Sequence, residues 1–506
     1  MRPRPLKLAL TATTLLVLAF ATAASAQEIL FAGPRALGMA GAVTASVNDT
    51  HAMYYNPAAL GFFNMRNEEG ERFDCDNNDC GRKRWGLDLD LGAGYRIHND
   101  FGSCLDTLTD IDYEALGEEG LQNDPQRLNE LVQMAESLAG ISDSRNAMTA
   151  DANGGLGVRI GNFAVGVRGS LQGTGRVTEL DTLNLGLTTG DLSGDIEAVS
   201  VEGFSSADYQ FAVFSTEQQT ILQDQGLSEE AVKKLDFLAQ QEGIDAALLD
   251  ETVDILAQVA EGSTSGTTLD DNETSVLLSG FGLLEIPVSY GYALNPHWSV
   301  GTTVKFMLGR VYGTRIIVFD DDAEDLLTEL EDGYEESANF GVDLSLMGRY
   351  KYVQFALTGR NLNSPKFDGY NSTKELANGR TVKVDVPDVK LDPQVRAGVA
   401  FIPMPTLTLG VDMDLTKNET TFDGYDTQNI SFGLEWHAFR TLALRAGAYK
   451  NIAESDIDWV YTAGIGLNLW AVRLDLAGAF STEKEEFDGD DYPSEIRVAG
   501  QISVDF

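Results

Sequence analysis

The feature that most constrains this chain is a two-residue rhythm repeated along its length. Leu87, Leu89, Leu91 and Ala93 alternate with Asp88, Asp90, Gly92 and Gly94. Phe340, Val342, Leu344 and Leu346 alternate with Gly341, Asp343, Ser345 and Met347, and Leu407, Leu409, Val411, Met413 and Leu415 with polar or glycine positions. Val472, Leu474 and Leu476 do the same against Arg473, Asp475 and Ala477. Successive side chains of a strand point to opposite faces, so each segment reads as a strand with one apolar and one polar face. The pattern predicts strands at 84–97, 153–160, 163–172, 281–293, 297–308, 339–349, 351–361, 394–403, 405–415, 429–438, 440–450, 458–468, 470–480 and 494–506. That is about fourteen, an even number, with lengths near the roughly 9–11 residues of a tilted membrane-spanning strand. Connections alternate between tight (Gly161-Asn162, Leu294-Asn295-Pro296, Arg349-Tyr350-Lys351, Met404 between prolines, Ala438-Phe439) and long. Transmembrane barrels have this asymmetry between periplasmic turns and external loops, whereas a soluble sandwich has no cause for it. The fold class expected is all-β, a transmembrane antiparallel β-barrel over 84–506 with inserts at 98–152 and 173–280.

The N-terminus carries an export address. Arg2, Arg4 and Lys7 precede an apolar run from Leu8 to Phe20, and Ala24-Ser25-Ala26 offers a small-x-small cleavage pattern. This order reads as a signal peptide over 1–26. The run is short of the roughly 20 residues that a spanning helix needs. At the other end an alternating strand finishes in Phe506. Such a strand resembles the signal read by the outer-membrane barrel assembly machinery, and the location expected is the cell outer membrane, facing lipid and lipopolysaccharide.

Hydrophobic residues make up 43% of the chain and the net charge is -42. The first figure suits a barrel, in which only alternate strand residues meet lipid. The second argues against nucleic-acid binding, which needs Lys and Arg against phosphate. Acidic runs such as Asp320–Glu336 read as solvated external loops rather than cation sites. Aromatic residues recur at strand ends (Trp85, Tyr95, Trp298, Tyr350, Tyr352, Trp436, Phe439, Tyr449, Trp459, Tyr461, Trp470, Phe480, Phe506) and read as interfacial girdles. Of three cysteines, Cys75 and Cys80 in C-D-N-N-D-C are the expected disulfide, leaving Cys104. The four histidines are scattered, so no metal site and no cofactor are expected.

Helical patterns interrupt the long loops. Asp124-Pro125 reads as an N-cap and first turn, followed by Leu128, Leu131, Val132 and Leu138 on one side. Leu227–Gln240 and Ile244–Val259 are amphipathic, with Val232, Leu235, Leu238, Leu248, Val253 and Leu256 among their apolar residues. They either pack on one another above the barrel or form an apolar docking groove.

Residues 27–83 do not read as a spanning strand. They hold G-P-R-A-L-G-M-A-G-A (Gly33–Ala42) and N-D-T-H-A-M-Y-Y-N-P-A-A-L-G (Asn48–Gly61). These stretches resemble the N-terminal hatch of the FadL-type outer-membrane transporters, and the layout is similar to the branch labelled conjugal transfer TraF-like. The resemblance implies a monomeric fourteen-stranded barrel plugged by its hatch, passing hydrophobic small molecules such as long-chain fatty acids or hydrocarbons without energy input. It maps the gating motif onto Asn56, Pro57 and Ala58. A plug needs small residues for close approach, and Pro fixes a bend without an N–H to satisfy. The alternative is a surface-exposed interaction barrel linked to conjugative transfer or secretion.

If the apolar faces meet lipid, Asp88, Asp90, Arg159, Arg168, Lys305, Asp343, Arg396, Asp412, Asp414, Arg445, Arg473, Asp475, Glu495 and Arg497 line the lumen. Both signs are present, so they either pair as a salt-bridged wall or line a substrate path. No G-x-S-x-G, H-E-x-x-H or P-loop pattern occurs, so no enzyme is expected.

Overall fold

The computed structural model describes residues 28–64, 85–111, 116, 120–121, 123–184, 190–263, 272–317, 333–375, 381–422, 424–438, 441–469, 472–487 and 490–505. The segment 1–26, Cys75, Cys80, Phe439, Trp470 and Phe506 lie outside the described residues.

The period-2 segments pair into a closed antiparallel barrel of fourteen strands. They are β1 Trp85–His98, β2 Ala147–Ile160, β3 Phe163–Glu179, β4 Ser275–Ala293, β5 Trp298–Ile317, β6 Tyr334–Arg349 and β7 Val353–Arg360, then β8 Gln394–Met404, β9 Leu407–Asp414, β10 Asn429–Ala438, β11 Leu442–Asn451, β12 Val460–Leu469, β13 Val472–Ser481 and β14 Glu495–Asp505. Register closes the ring: Asp90 of β1 lies opposite Gly155 of β2 and Gln501 of β14. Closure removes every sheet edge, which a spanning sheet requires because lipid offers no hydrogen bonds.

The apolar face is outside. Leu91 is 67% exposed and Leu476 63%, with Leu89, Phe306, Phe340, Leu344, Leu467 and Ile502 beside them in a continuous band. No soluble monomer leaves so large an apolar belt in water; it meets lipid. Trp85, Tyr290, Tyr292, Trp298, Tyr350, Tyr352 and Trp436 face outward near the short-turn end, and Tyr461 and Phe480 near the long-loop end. Tyr449 corrects the girdle expectation. It shares parity with Arg445, turns inward and donates its hydroxyl to Glu495.

Strands β2 to β5 run further at the long-loop end than the alternation predicts, so the inserts shrink to 99–146 and 180–274. The reason is packing. At that height Met148, Val276, Leu278 and Ile316 are covered by helices, not lipid, so the inside-outside contrast fades. The covering helices are α3 Phe101–Asp110, α4 Pro125–Ser142, α5 Leu192–Ala198, α6 Thr216–Asp224, α7 Glu229–Glu242 and α8 Leu249–Ser263, after the two short helices α1 Pro34–Gly38 and α2 Ala52–Tyr55 of the N-terminal segment. Asp124 caps α4 by accepting from Gln126 N at 2.9 Å, and Leu128, Leu131, Val132, Leu235, Val253 and Leu256 meet in one apolar core with buried Cys104. Burial pushes the Cys104 thiol up to about 12. Two buried charges organise this cap. Asp236 accepts from Tyr209 Oη and from the amides of Ala212, Val213 and Phe214. Lys234 donates to the carbonyls of Ile196, Glu197 and Val199 and closes the end of α5.

A plugged lumen as the candidate functional site

Residues 28–64 enter the barrel and fill it. Gly33 (φ 81) and Gly41 (φ 84) take left-handed turns open to glycine, and Pro34 occupies the first position of α1. After α2, a 3-10 helix runs Pro57–Asn64. Among residues 28–63 only Phe31, Asn48, Asp49 and Tyr54 are less than fully buried. The small residues of the plug pass directly against glycines on the inner wall. A Cβ added to Gly433 would stand 2.5 Å from the Met39 carbonyl oxygen, and one at Gly301 would overlap the Pro57–Ala58 peptide. Gly410 meets Ala42 and Gly291 meets Gly61 in the same way.

Asn56 joins the two halves of the plug: Nδ2 donates to Thr44 O at 2.9 Å and Oδ1 accepts from Ala58 N at 3.1 Å. The wall then holds that corner, because Ala58 N also donates to Ser345 Oγ at 2.7 Å and Thr303 Oγ1 donates to Met53 O at 3.2 Å. Further round, Thr44 N donates to Asp412 Oδ2 at 2.9 Å and Thr462 Oγ1 to Gly38 O at 3.1 Å.

The inward charges form chains rather than an open path. Arg35 of the plug meets Glu435 at 3.0 Å. Glu435 also holds Arg445 at 2.7 Å, Arg445 reaches Asp475 at 2.7 Å, and Arg473 reaches Asp475 at 2.8 Å. Glu28 bridges Arg96 and Arg497, which share Glu495, and Arg497 adds Asp151 at 2.6 Å. Arg396 pairs with Asp414 across β8–β9, Lys305 with Glu285 and Asp343, Arg168 with Asp90, and Arg159 with Asp505. Guanidinium groups also cover plug rings: Arg159 over Phe63 at 4.1 Å, Arg360 over Tyr54 at 4.0 Å and Arg349 over Phe62 at 4.5 Å. The sequence reading missed Glu28, Arg35, His51, Arg96, Asp151, Glu285, Arg360 and Glu435. Strand register was the available signal for three of them: Glu435 sits directly opposite Arg445, Glu285 opposite Arg168 and Arg96 opposite Glu495.

Two places depart from this sealed, ion-paired wall. Between β3 and β4, Val165 pairs with Val288 and Arg168 with Glu285, but Gly166 and Val167 have no partners opposite Ile286 and Pro287. Pro287 has no N–H to give the ladder. The Met53 methyl group of the plug lies against Gly157 and Gly166 on the inner side of this interruption. Higher up, inward Phe281, Leu283, Met307 and Val311 make the wall apolar, and Phe367, Val384, Val386, Val389 and Leu391 of the β7–β8 loop fold in over them.

A closed barrel filled by its own N-terminal segment and capped by helices defines a class of plugged membrane barrel. Within that class, the family model described as "F plasmid transfer operon, TraF, protein" matches residues 53–414, and the chain belongs to that family. It is the branch to which the layout of the sequence pointed. No curated protein matches the chain. Among solved structures, the P. putida toluene transporter TodX is similar at 10% identity, covering 95% of this chain and 99% of its own, with a TM-score of 0.45. The Ralstonia pickettii toluene transporter TbuX is similar at 12% identity, 94% and 99% coverage and a TM-score of 0.45. A Pseudomonas aeruginosa FadL homologue follows at 10% identity, 96% and 99% coverage and 0.44.

Proposed function

We propose that this protein is a non-enzymatic, passive channel of the outer membrane for hydrophobic small molecules, of the long-chain fatty acid or hydrocarbon class. The observation that carries the reading is the interrupted β3–β4 pairing at Gly166–Val167 opposite Ile286–Pro287, covered from inside by Met53. A polar solute needs a continuous wet lumen, and this lumen is filled. The interrupted pairing instead lies between apolar outward residues (Val165, Val167, Ile286 and Val288) that face lipid, and it is where the wall would part. Only an apolar cargo gains by leaving that way, since lipid penalises unsatisfied polar groups by several kcal/mol (about 2–7) each. The apolar patch around Phe281 and Leu283 would receive the cargo from outside. The Asn56–Pro57–Ala58 corner moves with Met53 to uncover the break. The hatch motif of the FadL-type resemblance supports the same assignment.

Native mass spectrometry on barrel purified from outer membranes tests the cargo class. The expected result is a co-purifying fatty acid or hydrocarbon at one per barrel. Reproducibly empty barrel, with uptake unchanged in Asn56→Ala and Pro57→Gly, would reject both cargo and gate.

A second reading is favoured by the family description and by the helical cap, which has its own apolar core. In it the barrel anchors a surface that contacts a conjugation or secretion apparatus. Deleting 210–260 abolishes partner contact on this reading and leaves hydrophobic uptake intact on the first.

A further inference from the structure

Where the plug passes β1, His51 meets an unusual set of groups. Its Nε2 lies 3.2 Å from Asp90 Oδ2 and 3.6 Å from Asp88 Oδ2. Its Nδ1 lies 3.5 Å from Asp49 Oδ1. The Asp88 side chain is 2% exposed, and neither of its oxygens accepts a hydrogen bond. A buried carboxylate without donors is costly and calls for a counter-charge. The groups touching the imidazole are three carboxylates, while one guanidinium, Arg168, holds Asp90 at 2.6 Å. Arg35 and Arg473, farther out, have carboxylates of their own in Glu435 and Asp475.

The geometry points to a divalent transition-metal site, of the zinc class, formed by His51 Nε2, Asp88 and Asp90, which staples the plug to the first strand of the barrel. Zinc binds N and O ligands at roughly 2.0–2.2 Å in a tetrahedron, so its ligand atoms stand about 3.3–3.6 Å apart. The separations at His51 match that edge length. Asp49 supplies the outer partner: a carboxylate on Nδ1 fixes the tautomer that turns the Nε2 lone pair toward the metal. Gly33 keeps the remaining side clear. A Cβ there would stand 2.7 Å from His51 Nε2 and 3.3 Å from Gln501 Oε1, which makes Gln501 or a water the fourth donor. The competing occupant is a proton on Nε2, held by the same carboxylates.

The test uses the whole barrel purified without chelator, analysed for metals, stripped with EDTA and titrated with Zn²⁺ and then Co²⁺. The expected result is one metal per chain, a higher unfolding temperature with zinc, and the intense visible bands of tetrahedral cobalt. Asp88→Asn should abolish the cobalt spectrum, and Asp49→Asn should weaken zinc binding by about 10–100-fold. Wild-type barrel that retains no metal, takes up none at micromolar zinc and gives no cobalt bands would overturn the site and leave His51 as a protonated latch. Wild type decides this alone if a variant does not fold.

Discussion

The plug and the helical cap are both additions to one barrel with apolar cores of their own, but they are fastened to it differently. The cap is a small globular core: Leu131, Leu235, Val253 and Leu256 are buried together, and its two buried charges are spent on loop ends. The plug also buries apolar residues, among them Met39, Val43, Val47, Met53, Phe62 and Phe63, but it adds close backbone contact with wall glycines and ion pairs to the wall such as Arg35–Glu435. Apolar packing is non-directional and tolerates repacking. Buried ion pairs need good geometry and lose heavily when one partner goes. The proposed function accordingly assigns movement to the plug and leaves the cap as a platform.

The sharpest way to break the contrast is at Glu435. Glu435→Gln strands Arg35 and Arg445 without their shared carboxylate and should cost about 3–5 kcal/mol. Protease accessibility of residues 28–64 should rise while the cap stays protected; equal loss in both regions would erase the distinction. Next in size is Leu131→Ala in the cap core, at about 2–5 kcal/mol. Hydrogen exchange should show loosening across α4, α7 and α8 with the plug unchanged. Asp124→Ala removes the α4 cap and should cost about 0.5–2 kcal/mol, read as fraying of the first turn in the same experiment.

The smallest effect is one of pH. Burial first, and then the nearby Asp100 charge, raise the Glu485 carboxyl to about 7. A raised carboxyl favours the protonated folded state, so this contribution is complete below the ordinary value of 4.5 and fades as pH climbs through about 7. The hairpin Lys484–Phe487 with Asp490–Pro493 should therefore exchange faster against α3 at pH 8 than at pH 5, and Glu485→Gln should flatten the difference.

These two regions were also unequally legible in the sequence. Cap helices announce themselves through caps and apolar periodicity, as Asp124-Pro125 and the Leu128 face did, although α3, α5 and α6 are too short or too mixed to stand out. The barrel was readable because lipid on one side and polar groups on the other enforce strict alternation. It blurred where helices replace lipid, hence the early start of β2 and the late end of β5. The plug has no periodicity at all. Its outline came from a family resemblance, while the partners of His51, Arg35 and Glu28 depend on contacts across hundreds of residues that no local pattern encodes. Even within the wall only part of the inward charge was visible, and pairing was legible only where register sets opposite charges face to face, as at Arg396–Asp414, Arg445–Glu435 and Arg96–Glu495.

The most direct test of the central claim is paired transport and conductance in proteoliposomes, comparing wild type with Met53→Trp, which wedges a larger side chain against Gly157 and Gly166. The account predicts transfer of a fluorescent long-chain fatty acid by wild type with little ion current, and loss of transfer in Met53→Trp with the barrel still folded. Large ion currents in wild type, or fatty-acid transfer unaffected by Met53→Trp, would contradict it.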